Sequence, residues 1–169
     1  MVKKIEKCIK SSAVLSDNEK YRYELVREWD EDKPNAAIVM LNPSKADMLK
    51  NDKTVMNVNN FLIDENYGSM TIVNLFAYMD TDPKNLKYRD IQYEELNDGY
   101  LEDAFDKANI IIVAWTRDKY ITRKREIEGM LYKYRDKVKC FEDGNGVKPR
   151  HPRDLGEKWS LTEYEFTLI

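Results

Sequence analysis

The chain holds one histidine, His151, and two cysteines, Cys8 and Cys140, in 169 residues. A single histidine leaves no multi-histidine zinc site. Cysteines so far apart form no CxxC pair and read as reduced thiols, in the core or at the surface, of a cytoplasmic protein. No apolar run approaches the ~20 residues of a membrane-spanning helix. The opening segment, MVKKIEKCIKSS, is basic but lacks an apolar stretch, so it does not read as a secretory signal. Walker A, GxSxG and GxGxxG motifs are missing. A positive excess is missing too: Lys and Arg number 28 against 31 Asp and Glu, for a net charge of −3. With a pI near 5.4, a surface coated in positive charge for nucleic acid is excluded, although a local basic groove is compatible.

What is present is an ordinary globular balance, 42% apolar and 35% charged, with apolar clusters along the whole length. The length fits one domain spanning residues 1–169, since domains run to ~100–150 residues. A chain of this size buries about two thirds of its unfolded surface and needs no disulfide or metal to fold. Residues 8–15 and 21–29 read as two strands around the polar turn SDNEK. In the second, Tyr21, Tyr23 and Leu25 alternate with Arg22, Glu24 and Val26. Residues 36–41 (AAIVML), 71–76 (TIVNLF) and 110–115 (IIIVAW) are continuous apolar runs, as expected of strands covered on both faces. A shorter strand follows at 137–141, and the aromatic tail beyond Lys158 suits a final strand. Helices are expected over 54–66, where Val55, Val58, Phe61 and Leu62 share a face, over 96–107, and over 122–134. Tyr67-Gly68 is the expected stop of the first helix. Buried strands alternating with helices predict a three-layer α/β/α sandwich with a mostly parallel central sheet. The first two strands either extend that sheet antiparallel or cover it.

Ligands of open α/β sheets bind at the carboxyl ends of the strands. That rule selects four loops. The first is Asn42-Pro43-Ser44, followed by Asp47 and Asp52. The Asn42 amide has a donor and an acceptor to hold a base edge or a water, and Ser44 suits a helix cap; a plain strand-to-helix turn is the competing reading. The second runs from Asn74 to Tyr78. A polar Asn at an apolar strand end needs a partner, because an unpaired buried amide costs roughly 1–3 kcal/mol. Phe76 and Tyr78 offer a stacking face or simply core. The third begins at Trp115, a pocket wall or core filler, and leads to Arg117, Arg123, Lys124 and Arg125. Most such runs are solvated helix faces; a phosphate contact from one of the arginines is the other reading. The fourth is Pro149-Arg150-His151-Pro152-Arg153. The prolines restrict where the imidazole points, and the neighbouring arginines favour a neutral ring. A neutral ring can donate to a developing oxyanion or act as acid or base. Asp47, Asp52, Asp82 and Asp98 are possible magnesium ligands, but their spacing is not diagnostic, and no metal or cofactor is expected.

Read in order, YRYELVREW, MLNPSKAD, NDKT, VNLFAY with TDP, ND, AW and PRHP resemble the bacterial and phage family catalogued as domain of unknown function sixteen forty-three. The pattern covers about residues 21–152. On it lie Asn42, Pro43, Ser44, Asp47, Asp52, Thr54, Asn74, Phe76, Asp82, Pro83, Asn97, Asp98, Trp115, Arg150, His151 and Pro152. Three positions depart from it. Thr116 stands where a glycine is usual, an arginine usual near Asn57 is missing, and Arg153-Asp154 replaces the end of an HPLY motif.

The family brings no established activity. Its layout is similar to the uracil-DNA glycosylase superfamily, which implies a fold of that type. There, a loop of the INPG form orients the attacking water, and a later HP-S loop supplies a His that stabilises the departing base. Asn42-Pro43 and His151-Pro152 match those loops in order and chemistry, and Phe76 would be placed like the base-stacking aromatic. The resemblance implies an N-glycosidic hydrolase acting on a nucleobase in DNA or a nucleotide. Asn42 and His151 would be catalytic, with Pro43, Ser44, Asp47, Asn74, Phe76, Tyr78, Trp115, Arg150 and Arg153 binding substrate. The alternative is a non-catalytic nucleotide or nucleic-acid binding module, with a base on Phe76 and phosphates on Arg150 or Arg153. A third is a scaffold presenting the charged helix at 122–134. The acidic pI favours a nucleotide or a short single strand over duplex DNA.

Overall fold

Alternation of buried side chains along each strand sets the layers of this molecule. A computed structural model describes residues 1–169. In β3 (Asn35–Met40), Ala36, Ile38 and Met40 join one apolar cluster, while Ala37 and Val39 join another on the opposite face. In β5 (Ile110–Val113), Ile110 and Ile112 go one way and Ile111 and Val113 the other. Continuous apolar sequence is therefore required in both strands. Each fully buried aliphatic chain of this kind is worth about 1.5–3 kcal/mol of transfer free energy.

Two helical layers supply the covering surfaces. Helix α1 (Lys53–Asp64) lays Val55, Val58 and Leu62 on the first face. A short helical turn, α2 (Ile91–Glu94), precedes α3 (Asn97–Lys107). Leu101, Ala104 and Phe105 of α3, with Ile127 and Leu131 of α4 (Ile121–Tyr132), cover the second face. No helix is long and apolar enough to cross a membrane.

The remaining strands are β1 (Lys10–Leu15), β2 (Arg22–Glu28), β4 (Ser69–Asn74), β6 (Val138–Glu142) and β7 (Ser160–Glu163). The seven form one sheet in the order β1-β2-β4-β3-β5-β6-β7. The sheet is mixed, and the expectation of a mostly parallel sheet is corrected. Only β4-β3-β5-β6 run parallel. The N-terminal hairpin joins β4 antiparallel, and the C-terminal tail folds back antiparallel on β6. Half of the six pairings are thus antiparallel. The three flanking strands, β1, β2 and β7, enter the sheet without a helical crossover, so nothing forces them parallel.

Two local irregularities matter. Val14 pairs with Glu24 but Leu15 pairs with Arg22, so Tyr23 is an extra residue, a bulge. The bulge breaks the expected alternation. Tyr23 stacks on Tyr100 of α3, and Glu24 faces Lys107 and Asp103 of that helix. Leu25 packs in the α1 cluster, and Arg22 also turns to that side, donating to the Ala46 carbonyl. The second irregularity ends α1. Asn66, not glycine, takes the left-handed conformation (φ 67°). Gly68 serves closeness instead, because a Cβ there would run into the Asp30 carbonyl.

Candidate functional site

The carboxyl ends of β3, β4 and β5, with the loop after β6, enclose a cleft of about 520 Å³. That volume suits a small organic ligand. Of the residues expected at a site, Asn42, Pro43, Ser44, Asn74, Trp115, His151 and Arg153 line it together. The strand-end rule works here because β3, β4 and β5 are parallel neighbours whose last residues meet. Met40 pairs with Asn74, the Leu75 N–H donates to the Met40 carbonyl, and the Ala114 N–H to Val39.

Asn42 is held by its nitrogen. Nδ2 donates to the carbonyls of Asp80 at 2.8 Å and Pro43 at 3.2 Å. Two carbonyl acceptors can be met only by the NH2 end of the amide, so Oδ1 is the end left without a protein donor. The loop is braced from the other side, where the Asp80 N–H donates to Pro43 at 3.0 Å. Ser44 does not cap a helix itself. Its hydroxyl donates to Asp52 Oδ2 at 2.7 Å, and Asp52 caps α1 by accepting from the Val55 N–H at 2.8 Å.

His151 comes in from the loop after β6. Its Nδ1 accepts the Arg153 N–H at 3.3 Å, capping a 3-10 turn at Pro152–Asp154. An accepting Nδ1 leaves the proton of a neutral ring on Nε2, which has no protein partner. Burial lowers the ring's pKa; Asp52 opposes this and Arg153 adds to it. Helix α1 ties the loop down. Asn57 Nδ2 donates to the carbonyls of Pro152 at 3.1 Å and Arg153 at 2.9 Å, and Lys53 pairs with Asp154 at 2.8 Å. Asn57, beside the position of the missing arginine, thus braces the histidine loop.

Four expected residues are not brought to the cleft. Phe76 turns into the core on the α3–α4 side, edge-on to Tyr120 at 5.4 Å and 4.7 Å beneath the Arg89 guanidinium. Tyr78 packs on Tyr21 at 5.3 Å. Asp47 accepts the Leu49 and Lys50 N–H groups of its own turn, which lower its pKa. Arg150 pairs with Asp143 at 3.1 Å in a separate open depression beside Trp159. The four suggested magnesium ligands are dispersed. Asp47 closes its turn, Asp52 caps α1, Asp82 accepts from the Lys84 N–H, and Asp98 pairs with Arg123. No group of three or more His, Cys, Asp or Glu side chains is placed to hold a metal ion.

Three wall residues were not legible as such. Arg22 is 3% exposed, and burial pushes its pKa down to about 10, against the pull of Asp52, so it stays charged at neutral pH. Only the bulge aims it here, and no sequence signal marks the bulge. Lys124, expected on a solvated helix face, is 2% exposed and donates to the Thr116 carbonyl; burial lowers its pKa, partly offset by Asp118. Tyr120 lines the cleft in a left-handed conformation (φ 56°), its hydroxyl donating to the Pro83 carbonyl at 2.8 Å. A bulky residue with positive φ is uncommon outside functional or strained sites.

The wall also holds unpaired donors. Asn74 Nδ2, Trp115 Nε1 and Arg22 Nε are buried and have no hydrogen-bond partner. The backbone behind Asn74 is fixed, since Asn97 Nδ2 donates to its carbonyl at 2.8 Å and Arg123 Nε to the Leu75 carbonyl at 3.0 Å.

Comparison with known proteins adds one finding. The chain belongs to the family described as "Protein of unknown function (DUF1643)", whose model matches residues 22–153. No curated protein and no solved structure matches the chain. The matched span includes Arg22 at its first position and the whole His151 loop at its end.

Proposed function

We propose that the cleft binds a nucleobase-containing ligand and hydrolyses its N-glycosidic bond. The observation that carries this reading is the pairing of two complementary groups in one cleft. Asn42 presents a free acceptor on an amide locked by two carbonyls, and His151 presents a free Nε2–H on a neutral, tethered ring. In the reaction, Asn42 Oδ1 accepts a hydrogen bond from a water and turns the water's lone pair toward the anomeric carbon. The new bond joins that carbon to the water oxygen. The C–N bond breaks, its electron pair leaves with the base, and the proton lost by the water ends on the base. His151 Nε2–H donates to the negative charge developing on the leaving base. The resemblance to a uracil-DNA-glycosylase-like layout agrees with this division of roles, as an analogy.

Phe76 has no part in this reading. Tyr120 is the partly exposed aromatic ring of the wall, since Trp115 is almost fully buried, and stacking of a base on such a ring is worth about 1–3 kcal/mol. The ligand is a nucleotide or a short single strand, in keeping with the net charge of −3.

The test is mass spectrometry of small products. Wild type, Asn42→Ala and His151→Ala are incubated with nucleosides, nucleotides and oligonucleotides carrying normal, uracil or modified bases. Free base from wild type, reduced about 100-fold or more in each variant, is the expected result, as for loss of one transition-state contact. Release that is unchanged in both variants, or no release from any substrate, overturns it. A second reading, binding without catalysis, is favoured by the commitment of the wall carboxylate Asp52 to Ser44 and Val55. Saturable nucleotide binding without product would select it.

A further inference from the structure

The cleft has more donors than its own protein can use. Trp115 Nε1 and Arg22 Nε can only donate, and each is unpaired in a side chain at least 97% buried, at 1% and 3% exposure. The Arg22 side chain donates to protein only through Nη1, to the Ala46 carbonyl. Its Nε and Nη2 N–H groups therefore remain as an intact two-pronged edge, the edge that matches two oxygens of a phosphate. Lys124 Nζ has one protein acceptor, the Thr116 carbonyl, and three hydrogens. The carboxylates that act on Arg22, Asp52 and Asp47, and on Lys124, Asp118, hydrogen-bond elsewhere: Asp52 to Ser44 and Val55, Asp47 to the Leu49 and Lys50 N–H groups, and Asp118 to Thr116. Five residues of the wall are basic and three acidic, in a chain whose net charge is −3. A water or neutral ligand would satisfy the donors but not the buried charge. A group with several anionic oxygens satisfies both.

We infer that Arg22, Lys124 and Trp115, with the Asn74 amide, form a subsite for a phosphate monoester, so that the ligand of the cleft is a free nucleoside monophosphate. The inference rests on the nucleobase reading above for the remainder of the ligand. A dianionic monoester matches two buried cations better than the single charge of a phosphodiester within a strand. The subsite is assembled from β2, the ends of β4 and β5, and α4, so it depends on the bulge at Tyr23 that turns Arg22 inward.

The test is calorimetric titration with nucleosides, the corresponding monophosphates, inorganic phosphate and short single-stranded oligonucleotides. The proteins are wild type, Arg22→Gln, Lys124→Gln and Trp115→Phe. Monophosphates should bind about 10–100-fold more tightly than the nucleosides, the worth of one or two charge-assisted hydrogen bonds. Inorganic phosphate should compete. The preference should shrink in each variant while nucleoside affinity holds. Trp115→Phe keeps the ring and removes only the N–H, so the test survives if the charge variants misfold. Equal affinity for nucleosides and monophosphates overturns the subsite and leaves base binding standing. Preference for oligonucleotides, or no binding at all, also overturns it. Tight monophosphate binding without base release supports the subsite and removes the hydrolase reading.

Discussion

Two regions of this molecule bury polar side chains, and they treat them differently. Beneath the C-terminal tail, Glu128 is completely buried, yet both its oxygens are used. Oε1 accepts the Tyr164 hydroxyl and Oε2 accepts the Leu168 N–H at 2.8 Å. Burial, then Glu128 itself, holds the Tyr164 hydroxyl protonated by raising its pKa. In the cleft, Asn74 and Trp115 are just as deeply buried and have unpaired N–H donors. Other side chains with an unpaired buried atom bind protein through their remaining polar atoms: Asn97 donates to the Asn74 carbonyl, and the half-buried Arg117 donates to Thr167 and the Glu165 carbonyl of the tail. An unpaired buried donor costs roughly 1–3 kcal/mol. The Glu128–Tyr164 pair avoids that cost within the protein, whereas the cleft leaves it for a ligand to remove.

Exchanging what each region lacks should affect the two in opposite ways. The largest effect is expected at the tail. Glu128→Ala should lower the unfolding free energy by about 3 kcal/mol in urea titration, because it strands the Tyr164 hydroxyl and the Leu168 N–H. A loss under ~0.5 kcal/mol, the size of an ordinary surface change, would mean the tail is no better satisfied than the cleft. In the cleft the expectation reverses. Asn74→Leu replaces an unpaired amide by an apolar group with the same number of heavy atoms and should leave stability within about 1 kcal/mol of wild type or raise it, while weakening ligand binding. Strong destabilisation by Asn74→Leu would show that the amide serves the fold.

The smallest effect concerns pH. Burial sets the folded-state pKa of His151 below the ordinary 6.5, so the unfolded chain takes up the proton first. The stability contributed by the neutral ring is fully present above about pH 6.5 and is lost as the pH falls from there through the folded-state value. His151→Gln should flatten the decline in stability just below pH 6.5, measured by thermal unfolding across that range. A decline equally steep in wild type and variant would show that a neutral His151 ring contributes nothing to the stability of this loop.

The parallel core was legible because its physics is local. Runs such as residues 110–115 are apolar at every position, and only burial on two faces explains that. The strand-end rule then reached Asn42, Asn74, Trp115 and His151 from chain position alone. The flanks were less legible, since an edge strand of either direction reads alike. Arg22 was lost to a single extra residue, Tyr23, which reverses the alternation. Lys124 was lost because a basic run on a helix reads as solvated, and only the tertiary packing of α4 shows which member turns inward. Chain position leaves Phe76 open between a stacking face and core, and the resemblance implies stacking; it lies two residues beyond the end of β4, where the chain has turned toward the other face, and it packs as core.

The most direct measurement uses the one histidine of the chain as a reporter. Its ring signals in a proton NMR spectrum belong to His151 without ambiguity. Titration with a nucleoside monophosphate whose binding is confirmed by calorimetry should shift those signals saturably, with the calorimetric affinity, and Trp115→Phe should weaken both together. A nucleotide that binds while leaving the His151 ring signals unmoved would contradict the central claim that Asn42, His151 and the unpaired donors serve one ligand.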